Sequence, residues 1–209
     1  KTSRMKIRLV QAELVPPDPA LARPGDFAAV CYPHAAASEL VAQLVDAGVR
    51  VVDVSADHRL RDAALYPEWY GFTHARPELL DEAVYGLPEA YRDRIRDARL
   101  VANPGCYPTA ALLALLPLAG RLADVVIDAK SGVSGAGKTP TDAVHFSTVT
   151  ENLMPYKVLS HRHEPEIAQE LGVDVTFTPP LLPVDRGELA SCYARLTDAP
   201  STQGDLIAL

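Results

Sequence analysis

Apolar and polar positions follow one another in the first half of the chain in blocks that predict strands and helices in turn. Residues 27–32 are a short apolar run suited to a buried strand, and residues 35–47 place their apolar side chains on one helical face. Residues 49–54 are strand-like again. A strand, a helix and a strand within about thirty residues have the length of one βαβ unit. We therefore predict a parallel sheet with its ligands at the carboxyl ends of the strands.

The pattern changes in the second half of the chain. Strand-like runs cover residues 125–129, 173–178 and 189–196, without regular alternation with helices. This favours an α+β arrangement for that half. We therefore predict an α/β, parallel-sheet domain over residues 1–105 and an α+β domain over residues 106–209.

A cysteine lies between these two halves, at a predicted junction of strand, tight turn and helix. Pro108 suits a first helical turn, and residues 110–116 are strongly helix-forming. Cys106 is thereby placed at a helix N-terminus, where unpaired N–H groups and the helix dipole favour an anion. Such a position lowers the pKa of a thiol, so we expect a thiolate nucleophile. The alternative is a free cysteine packed as a small hydrophobic residue.

Two histidines further along the chain are candidates for moving protons at this thiol. Residues two apart point to opposite sides of an extended chain, so we expect only one of His161 and His163 to face it. Arg162 between them could bind an anionic group with two hydrogen bonds. The alternative is that this polar segment simply leads into a helix that begins near Pro165.

Polar residues also follow two of the predicted strands. Pro33 and His34 come after the first, and Asp57 and Arg59 come after the second. One of the latter two could hold a substrate carboxylate or phosphate. The alternative is an exposed ion pair that contributes little.

A glycine-rich segment, residues 131–138, follows the predicted strand at residues 125–129. Its backbone N–H groups could cradle a phosphate or pyrophosphate, with added charge from Lys138. The spacing from Gly132 to Thr139 also matches a nucleotide-triphosphatase loop, but Pro140 disfavours the helix that such a loop needs. We therefore favour a cofactor-contacting loop over a triphosphatase loop, with an ordinary flexible loop as the other alternative.

Composition narrows the class of partner. The chain has 209 residues, 48% hydrophobic and 22% charged, with a net charge of −7. This balance argues against sequence-independent nucleic-acid binding, which needs a basic face. Three widely spaced cysteines form no C-x-x-C pair, so disulfide and zinc sites are disfavoured and a cytoplasmic location is expected. The most apolar run, residues 110–119, is broken by Pro117 and is too short to span a bilayer.

Five motifs, in order and over nearly the whole chain, resemble the N-acetyl-gamma-glutamyl-phosphate reductase family. The most specific is the segment around the cysteine, Asn103-Pro-Gly-Cys106-Tyr-Pro-Thr109. The others are Ser55-Ala-Asp-His-Arg59-Leu, Tyr85-Gly-Leu-Pro-Glu89, Ser131-Gly-Val-Ser-Gly-Ala-Gly137 and His161-Arg-His-x-Pro-Glu-Ile167. The resemblance implies a Rossmann-like domain followed by a catalytic domain like that of aspartate-semialdehyde dehydrogenase.

The resemblance also implies an activity. It is the NADPH-dependent reduction of N-acetyl-gamma-glutamyl phosphate to N-acetylglutamate 5-semialdehyde, with release of phosphate, in arginine biosynthesis. The enzyme would be a cytoplasmic homo-oligomer, a dimer or tetramer, that acts on a small acyl phosphate through a cysteine thioester. By motif match, Cys106 would be the nucleophile and His161 the acid–base group.

The resemblance further implies binding residues. Asn103, Arg59, Arg162 and His163 would contact the substrate. Ser3 and Arg4 would hold the adenosine 2′-phosphate of NADP(H). The remaining cofactor contacts would be Pro33, His34, Ser131, Gly132, Ser134, Gly135 and Gly137. The family's first strand and Gly-rich fingerprint should precede Thr2, and the family continues past Leu209, so we expect both domains to be incomplete here.

Three alternative functions stay open on the sequence. A sister reductase would act on a carrier-protein-bound aminoadipyl or glutamyl phosphate, but docking an acidic carrier favours a basic patch, and the net charge is −7. A cofactor-free Cys–His hydrolase or acyltransferase would bind no nicotinamide. A non-catalytic remnant would only support an oligomer.

Overall fold

The first half of the chain forms a parallel sheet of four strands. The computed structural model describes residues 18–137, 139–198 and 203–204. The strands are β1 Phe27–Val30, β2 Arg50–Asp53, β3 Val84–Tyr85 and β4 Leu100–Ala102, in the order β1-β2-β4-β3. Val30 pairs with Asp53, and Asp53 pairs with Ala102. The carboxyl ends of three strands therefore meet at one edge, as predicted.

The helices of this half cover the sheet and connect its strands. They are α1 Ser38–Asp46, α2 Leu65–Tyr70, α3 Glu78–Glu82 and α4 Pro88–Asp97. Val41 and Val45 of α1 are fully buried against Val51 and Leu100 of the sheet. The predicted βαβ unit is confirmed, because α1 connects the parallel pair β1 and β2.

The second half of the chain forms a mixed sheet with helices. Its elements are α5 Cys106–Leu115, β5 Leu122–Gly132, α6 Phe146–Val149, β6 Met154–Pro155, α7 His163–Leu171, β7 Val175–Thr178, β8 Pro180–Leu182 and β9 Glu188–Leu196. Both β7 and β8 run parallel to β5, whereas β9 runs antiparallel to it. The parallel pair β5 and β7, with α7 between them in sequence, is an alternation that the sequence pattern did not predict.

Helix α5 follows β4 of the first sheet and packs in a core formed mainly by the second half of the chain. Leu112 packs in one core with Ile127, Ile167 and Phe177 of the second half, and this core also contains Tyr85 of β3. All five side chains are buried. The N-terminus of α5 is thereby held at the carboxyl edge of the first sheet, directly after β4.

Candidate active site

A cavity of about 470 Å³ opens where the first sheet ends and α5 begins. It brings together all six of the residues that were predicted as catalytic or substrate-binding. They are Arg59, Asn103, Cys106, His161, Arg162 and His163. Because these residues come from loops and helices of both halves, the cavity exists only in the folded chain.

Cys106 is the first residue of α5, as predicted, and its side chain is exposed. Its pKa nevertheless differs from the prediction. Partial burial, followed by the charge and a hydrogen bond of Glu188, raises the pKa of the thiol to about 11. These effects outweigh the backbone N–H groups of Cys106 and Tyr107, which lower the pKa. The expectation of a lowered pKa is therefore wrong for the free protein, because the predicted helix effect is smaller than burial and a neighbouring carboxylate.

A buried carboxylate fixes the turn that precedes the cysteine. Glu166 of α7 is fully buried, and its Oε1 accepts hydrogen bonds from the Gly105 N–H at 2.9 Å and the Tyr85 hydroxyl at 2.7 Å. Its Oε2 lies 3.8 Å from Nη1 of Arg59. Burial raises the pKa of Glu166, and Arg59 opposes this rise. One side chain thus connects β3, the turn before Cys106 and the cavity residue Arg59.

Gly105 has a packing reason to be glycine. A Cβ built at this position would lie 2.5 Å from Nε2 of His163. The ring of His163 therefore rests on the backbone of the turn. Its Nδ1 is buried without a hydrogen-bond partner among the described residues, and burial holds the pKa of His163 well below its usual value.

His161 lies in an aromatic surround of the same cavity. Its ring centroid is 5.7 Å from that of Tyr107 and 5.2 Å from that of Phe177. Burial, with smaller contributions from Arg162 and Lys157, lowers the pKa of His161 to about 4. The imidazole is therefore neutral near pH 7.

Both histidines line the cavity, and the expectation that only one of them faces the thiol stays a prediction. The rule for extended chains does not apply, because α7 already begins at His163. The two ring centroids are 4.7 Å apart, and Nδ1 of His161 accepts the backbone N–H of His163 at 3.2 Å.

The two cavity arginines are held differently. Arg59 donates from Nε to the carbonyl of Asn103 at 2.8 Å and from Nη2 to that of Val54 at 3.0 Å. Arg162 contacts Nδ1 of His34 at 3.1 Å through its Nη1 and lies over the ring of Tyr70 at 5.9 Å. Arg59 is thus buried and fixed by the backbone, whereas Arg162 connects the second half to the loop after β1.

Asp57 is fully buried, so the predicted alternative of an exposed ion pair is wrong, and the prediction that Asp57 or Arg59 holds a substrate anion is left to Arg59. Its carboxylate is fully buried and accepts the N–H groups of Ala35, Ala37 and Ser38 and the hydroxyl of Ser38. It caps the start of α1 from inside the protein. It also positions the loop that contains Pro33 and His34.

The phosphate cradle predicted in residues 131–138 is corrected in its first part. The N–H groups of Gly132, Val133 and Ser134 are bonded to the carbonyls of Gly187, Val184 and Asp185. They are not available for a phosphate. Only the later part of the segment, Gly135 and Ala136, lines the cavity.

Two further predictions concern residues proposed for phosphate groups and the triphosphatase loop. Ser3, Arg4 and Lys138 are outside the residues that the structure describes. The triphosphatase loop lacks its helix, because only a three-residue 3-10 helix, Asp142–Val144, follows Pro140 before α6.

Sequence reasoning gave no role to three residues around the thiol: Glu166, Glu188 and Tyr156. Glu166 lay inside a recognised motif, so a signal existed for it. Tyr156 lines the cavity and the charge of Glu188 helps to raise the pKa of Cys106, but no local pattern marks either residue.

Within the described part of the chain, no helix is both long and apolar enough to cross a membrane. The same residues contain no group of three or more His, Cys, Asp or Glu side chains placed to hold a metal ion.

Family comparisons agree with this fold. The family model "Semialdehyde dehydrogenase, NAD binding domain" matches residues 2–98, and "Semialdehyde dehydrogenase, dimerisation domain" matches residues 106–209. The chain belongs to the semialdehyde dehydrogenase family.

Within that family the chain is similar to N-acetyl-gamma-glutamyl-phosphate reductases, which confirms the resemblance seen in the motifs. The reductase of Syntrophobacter fumaroxidans is 52% identical over 189 residues, 85% of this chain and 55% of the relative. The reductase of Methanopyrus kandleri is 53% identical over 182 residues, 84% of this chain and 53% of the relative. The chain thus spans about half the length of the curated relatives it matches.

Solved structures confirm the fold. Aspartate semialdehyde dehydrogenase II from Vibrio cholerae has a TM-score of 0.63 at 17% identity, over 88% of this chain and 59% of that one. Aspartate semialdehyde dehydrogenase with NADP from Candida albicans has a TM-score of 0.58 at 12% identity, over 88% and 54%.

Proposed function

We propose that the protein containing this chain is an NADPH-dependent acyl-phosphate reductase. It converts N-acetyl-gamma-glutamyl phosphate to N-acetylglutamate 5-semialdehyde and phosphate, a step of arginine biosynthesis. The observation that carries this proposal is the cavity where Cys106, at the start of α5, meets His161 and the two arginines Arg59 and Arg162. The similarity to reductases of that name supports the choice of substrate.

The chemistry follows from the positions of these groups. The sulfur of Cys106 attacks the γ-carbonyl carbon, the bond from that carbon to the phosphate oxygen breaks, and a thioester forms. Covalent catalysis of this kind divides one difficult step into two easier ones. The cofactor, when bound, supplies the hydride that reduces the thioester carbon. Breaking of the C–S bond then releases the aldehyde and restores Cys106.

The other cavity residues have separate roles. We assign proton exchange at the substrate oxygen to His161, which is neutral and lies in the cavity. Arg59 and Arg162 are assigned to the anionic groups of the substrate, since a guanidinium pairs well with carboxylate and phosphate. Asn103 and His163 complete the substrate contacts.

The described residues fit a nicotinamide cofactor at the carboxyl edge of the first sheet. The strands that end at this edge are parallel, the edge opens into the cavity, and Gly135 borders that cavity. A Cβ at Gly135 would lie 2.6 Å from Oγ of Ser131, so this loop needs glycine to stay close to its strand. Pro33 and His34 after β1, with Ser131, Gly132, Ser134, Gly135 and Gly137, are the proposed contacts. Ser3 and Arg4 are proposed for the 2′-phosphate, which makes NADPH the preferred form.

We also propose a division of the chain into a cofactor domain up to residue 105 and a catalytic and oligomerisation domain from residue 106. The match of residues 106–209 to a dimerisation-domain model supports assembly of identical subunits, as a dimer or tetramer. A cytoplasmic location fits a biosynthetic reductase with a free thiol nucleophile.

The reverse reaction tests the activity. Full-length protein is given N-acetylglutamate semialdehyde, phosphate and NADP⁺, and NADPH absorbance is followed. We expect phosphate-dependent NADPH formation, which the Cys106→Ser variant does not show. Signal only with aspartate semialdehyde, or only with a carrier-bound semialdehyde, would contradict the substrate assignment.

A further inference from the structure

Arg162 is the cavity arginine whose charge has no carboxylate partner among the described residues. Arg59 has such a partner, since Oε2 of Glu166 lies 3.8 Å from its Nη1. Arg162 takes part in none of the ion pairs within the described part of the chain, and it lines the cavity. Its guanidinium is therefore available to an anionic ligand in the cavity.

Two side chains from the first half of the chain hold this arginine. Nη1 of Arg162 donates a hydrogen bond to Nδ1 of His34 at 3.1 Å. The guanidinium carbon lies 5.9 Å from the centre of the Tyr70 ring, within cation–π distance. Tyr70 is the last residue of α2 and packs against the buried ring of Tyr66, whereas His34 is exposed in the loop after β1. Arg162 thus has one contact with the protein core and one with a loop at the cofactor edge.

The contact with Arg162 determines which nitrogen of His34 carries a proton. A guanidinium has only donors, so Nδ1 of His34 is the acceptor and carries no proton. Burial, followed by the charge of Arg162, lowers the pKa of His34, so the imidazole is neutral near pH 7. Its single proton therefore lies on Nε2, which has no hydrogen-bond partner among the described residues. Because the positive charge of Arg162 polarises the ring, Nε2–H is a stronger donor than in a free imidazole.

The backbone of the loop holds His34 at the ligand-binding edge of the sheet. Ala35, the next residue, has a φ of +67°, in the left-handed region that favours glycine. Its N–H donates to Oδ1 of the buried Asp57 at 2.8 Å, which offsets part of the cost of this conformation. The loop follows β1, whose parallel pairing with β2 places it at the carboxyl edge, where ligands of such sheets bind. His34 therefore connects this edge to the arginine of the cavity.

We propose that His34 is a positioning residue that connects the two ligand sites: it holds the Arg162 guanidinium for the anionic group of the substrate, and it donates from Nε2 to the cofactor. Binding of either ligand then favours binding of the other. This inference rests on the proposed reductase function, to which it adds a link between cofactor and substrate.

The sign of the coupling distinguishes this link from simple electrostatics. Whichever ligand binds first orders the His34–Arg162 pair, so the second ligand meets a donor that is already in place. By thermodynamic linkage, the factor by which NADP⁺ tightens phosphate binding equals the factor by which phosphate tightens NADP⁺ binding. Charge alone predicts the opposite sign, since two anionic ligands in one cavity repel each other.

Isothermal titration calorimetry on the full-length protein measures the coupling without turnover. The probes are NADP⁺ and inorganic phosphate, which do not react in the absence of the aldehyde. Each is titrated with and without the other, and the ionic strength is matched with sodium chloride. We expect each ligand to lower the dissociation constant of the other by about fivefold or more.

Substitutions separate the two contacts of Arg162. His34→Phe removes both ring nitrogens and should bring the coupling factor to about one. His34→Gln keeps an oxygen that accepts and an amide group that donates, so part of the factor should remain. Tyr70→Leu removes the aromatic ring beside the guanidinium, so phosphate should bind more weakly while the coupling persists. The matched control His145→Gln changes an exposed histidine that does not line the cavity, and it should alter neither dissociation constant.

Thermal unfolding verifies that each variant is folded. Arg162→Met removes the same contact from its other side and should also lose the coupling, so this variant decides the question if His34→Phe is unstable. Positive coupling in the wild type that disappears in these two variants supports the proposal.

Three results would overturn the proposal. The first is coupling that persists in His34→Phe and Arg162→Met, which would then run through other residues. The second is a wild-type protein that shows no coupling or binds no phosphate in the presence of NADP⁺. The third is weaker NADP⁺ binding in phosphate, which would mean that phosphate occupies the cofactor site. A wild-type protein that binds no NADP⁺ at all would instead contradict the proposed function.

Discussion

Two helices, α1 and α5, begin at the carboxyl edge of the first sheet, and their N-termini differ in what they contact. At α1, the N–H groups of Ala37 and Ser38 are bonded to the buried carboxylate of Asp57. At α5, the first residue is Cys106, and it faces a cavity. Both helices follow a parallel strand and both begin with small or polar residues, but one end is closed by the protein's own anion and the other is open to a ligand.

The comparison shows that a helix N-terminus becomes a site only through what surrounds it. Its dipole favours an anion by about 0.3–1 kcal/mol in exposed positions. At Cys106 this contribution is outweighed by partial burial and by Glu188, since the pKa of the thiol rises. At α1 the favoured anion is supplied internally by Asp57, so this end contributes to the fold and to the position of a loop.

The largest expected effect is a loss of turnover when the first residue of α5 is changed. Cys106→Ser should lower turnover on the order of 10⁵-fold or more, because the nucleophile is lost. NADPH binding, followed by fluorescence, and the melting temperature should stay near wild type. If turnover persists, Cys106 does not attack the substrate, and the contrast between the two helix ends disappears.

At the N-terminus of α1 we expect the opposite result: a substitution there should lower stability while it leaves the reactivity of Cys106 little changed. Asp57→Asn leaves one acceptor oxygen for four donors in a buried position, so we expect a loss of about 2–4 kcal/mol in the free energy of unfolding. Denaturant titration measures this loss. NADPH should bind more weakly, because the loop with Pro33 and His34 loosens, while alkylation of Cys106 should be little changed.

The matched control for this substitution is Asp62→Asn. Asp62 is exposed and accepts the N–H of Ala64 at 2.8 Å, so its loss should cost less than about 1 kcal/mol. Equal losses from the two substitutions would mean that the buried cap at α1 contributes nothing special.

A smaller effect is expected from the turn before Cys106. Gly105→Ala puts a methyl group 2.5 Å from Nε2 of His163, and we expect a loss of about 1–3 kcal/mol in stability with lower kcat. Denaturant titration and steady-state kinetics measure the two quantities. In a His163→Ala background the added methyl has room, so its cost in stability should shrink. A cost that is the same in both backgrounds would show that the two residues do not meet.

The last expected effect, which leaves the protein unchanged near pH 7 and appears only at acid pH, is the pH dependence of stability that comes from His161. Its folded pKa of about 4 lies below the usual 6.5, so between these values the unfolded chain binds more protons. Stability from this group is therefore present above pH 6.5 and is lost as the pH falls toward 4. The loss reaches about 3 kcal/mol, since one pKa unit corresponds to about 1.4 kcal/mol.

Unfolding curves at pH 7 and pH 4.5 measure this effect. The His161→Asn variant should lose less stability between the two pH values than the wild type, whereas the exposed His145→Asn control should match the wild type. Equal losses in wild type and His161→Asn would mean that His161 is not held neutral by burial.

Local patterns were enough to predict the βαβ unit and the start of α5 at Cys106. Both depend on residues close together in sequence, where periodicity and a helix-compatible proline carry the information. The strand, turn and helix around Cys106 therefore appeared in the structure where they were expected.

These local patterns did not predict contacts between residues that are far apart in the sequence. The closure of α1 by Asp57 joins residues about twenty positions apart, and Glu166 reaches Gly105 across 61 positions. The commitment of the Gly132 and Ser134 N–H groups to the loop at 184–187 is of the same kind. A pKa depends on all such neighbours, which is why the direction at Cys106 was predicted wrongly from the helix alone.

The most direct test of the central claim is to trap the covalent intermediate. Full-length protein is mixed with N-acetyl-gamma-glutamyl phosphate in the absence of NADPH, and the reaction is quenched in acid. The protein is then digested, and the masses of its peptides are measured by mass spectrometry. We predict an N-acetylglutamyl adduct on the peptide that contains Cys106, which added NADPH removes. An adduct on another residue, or none on Cys106 while the enzyme turns over, would contradict the account.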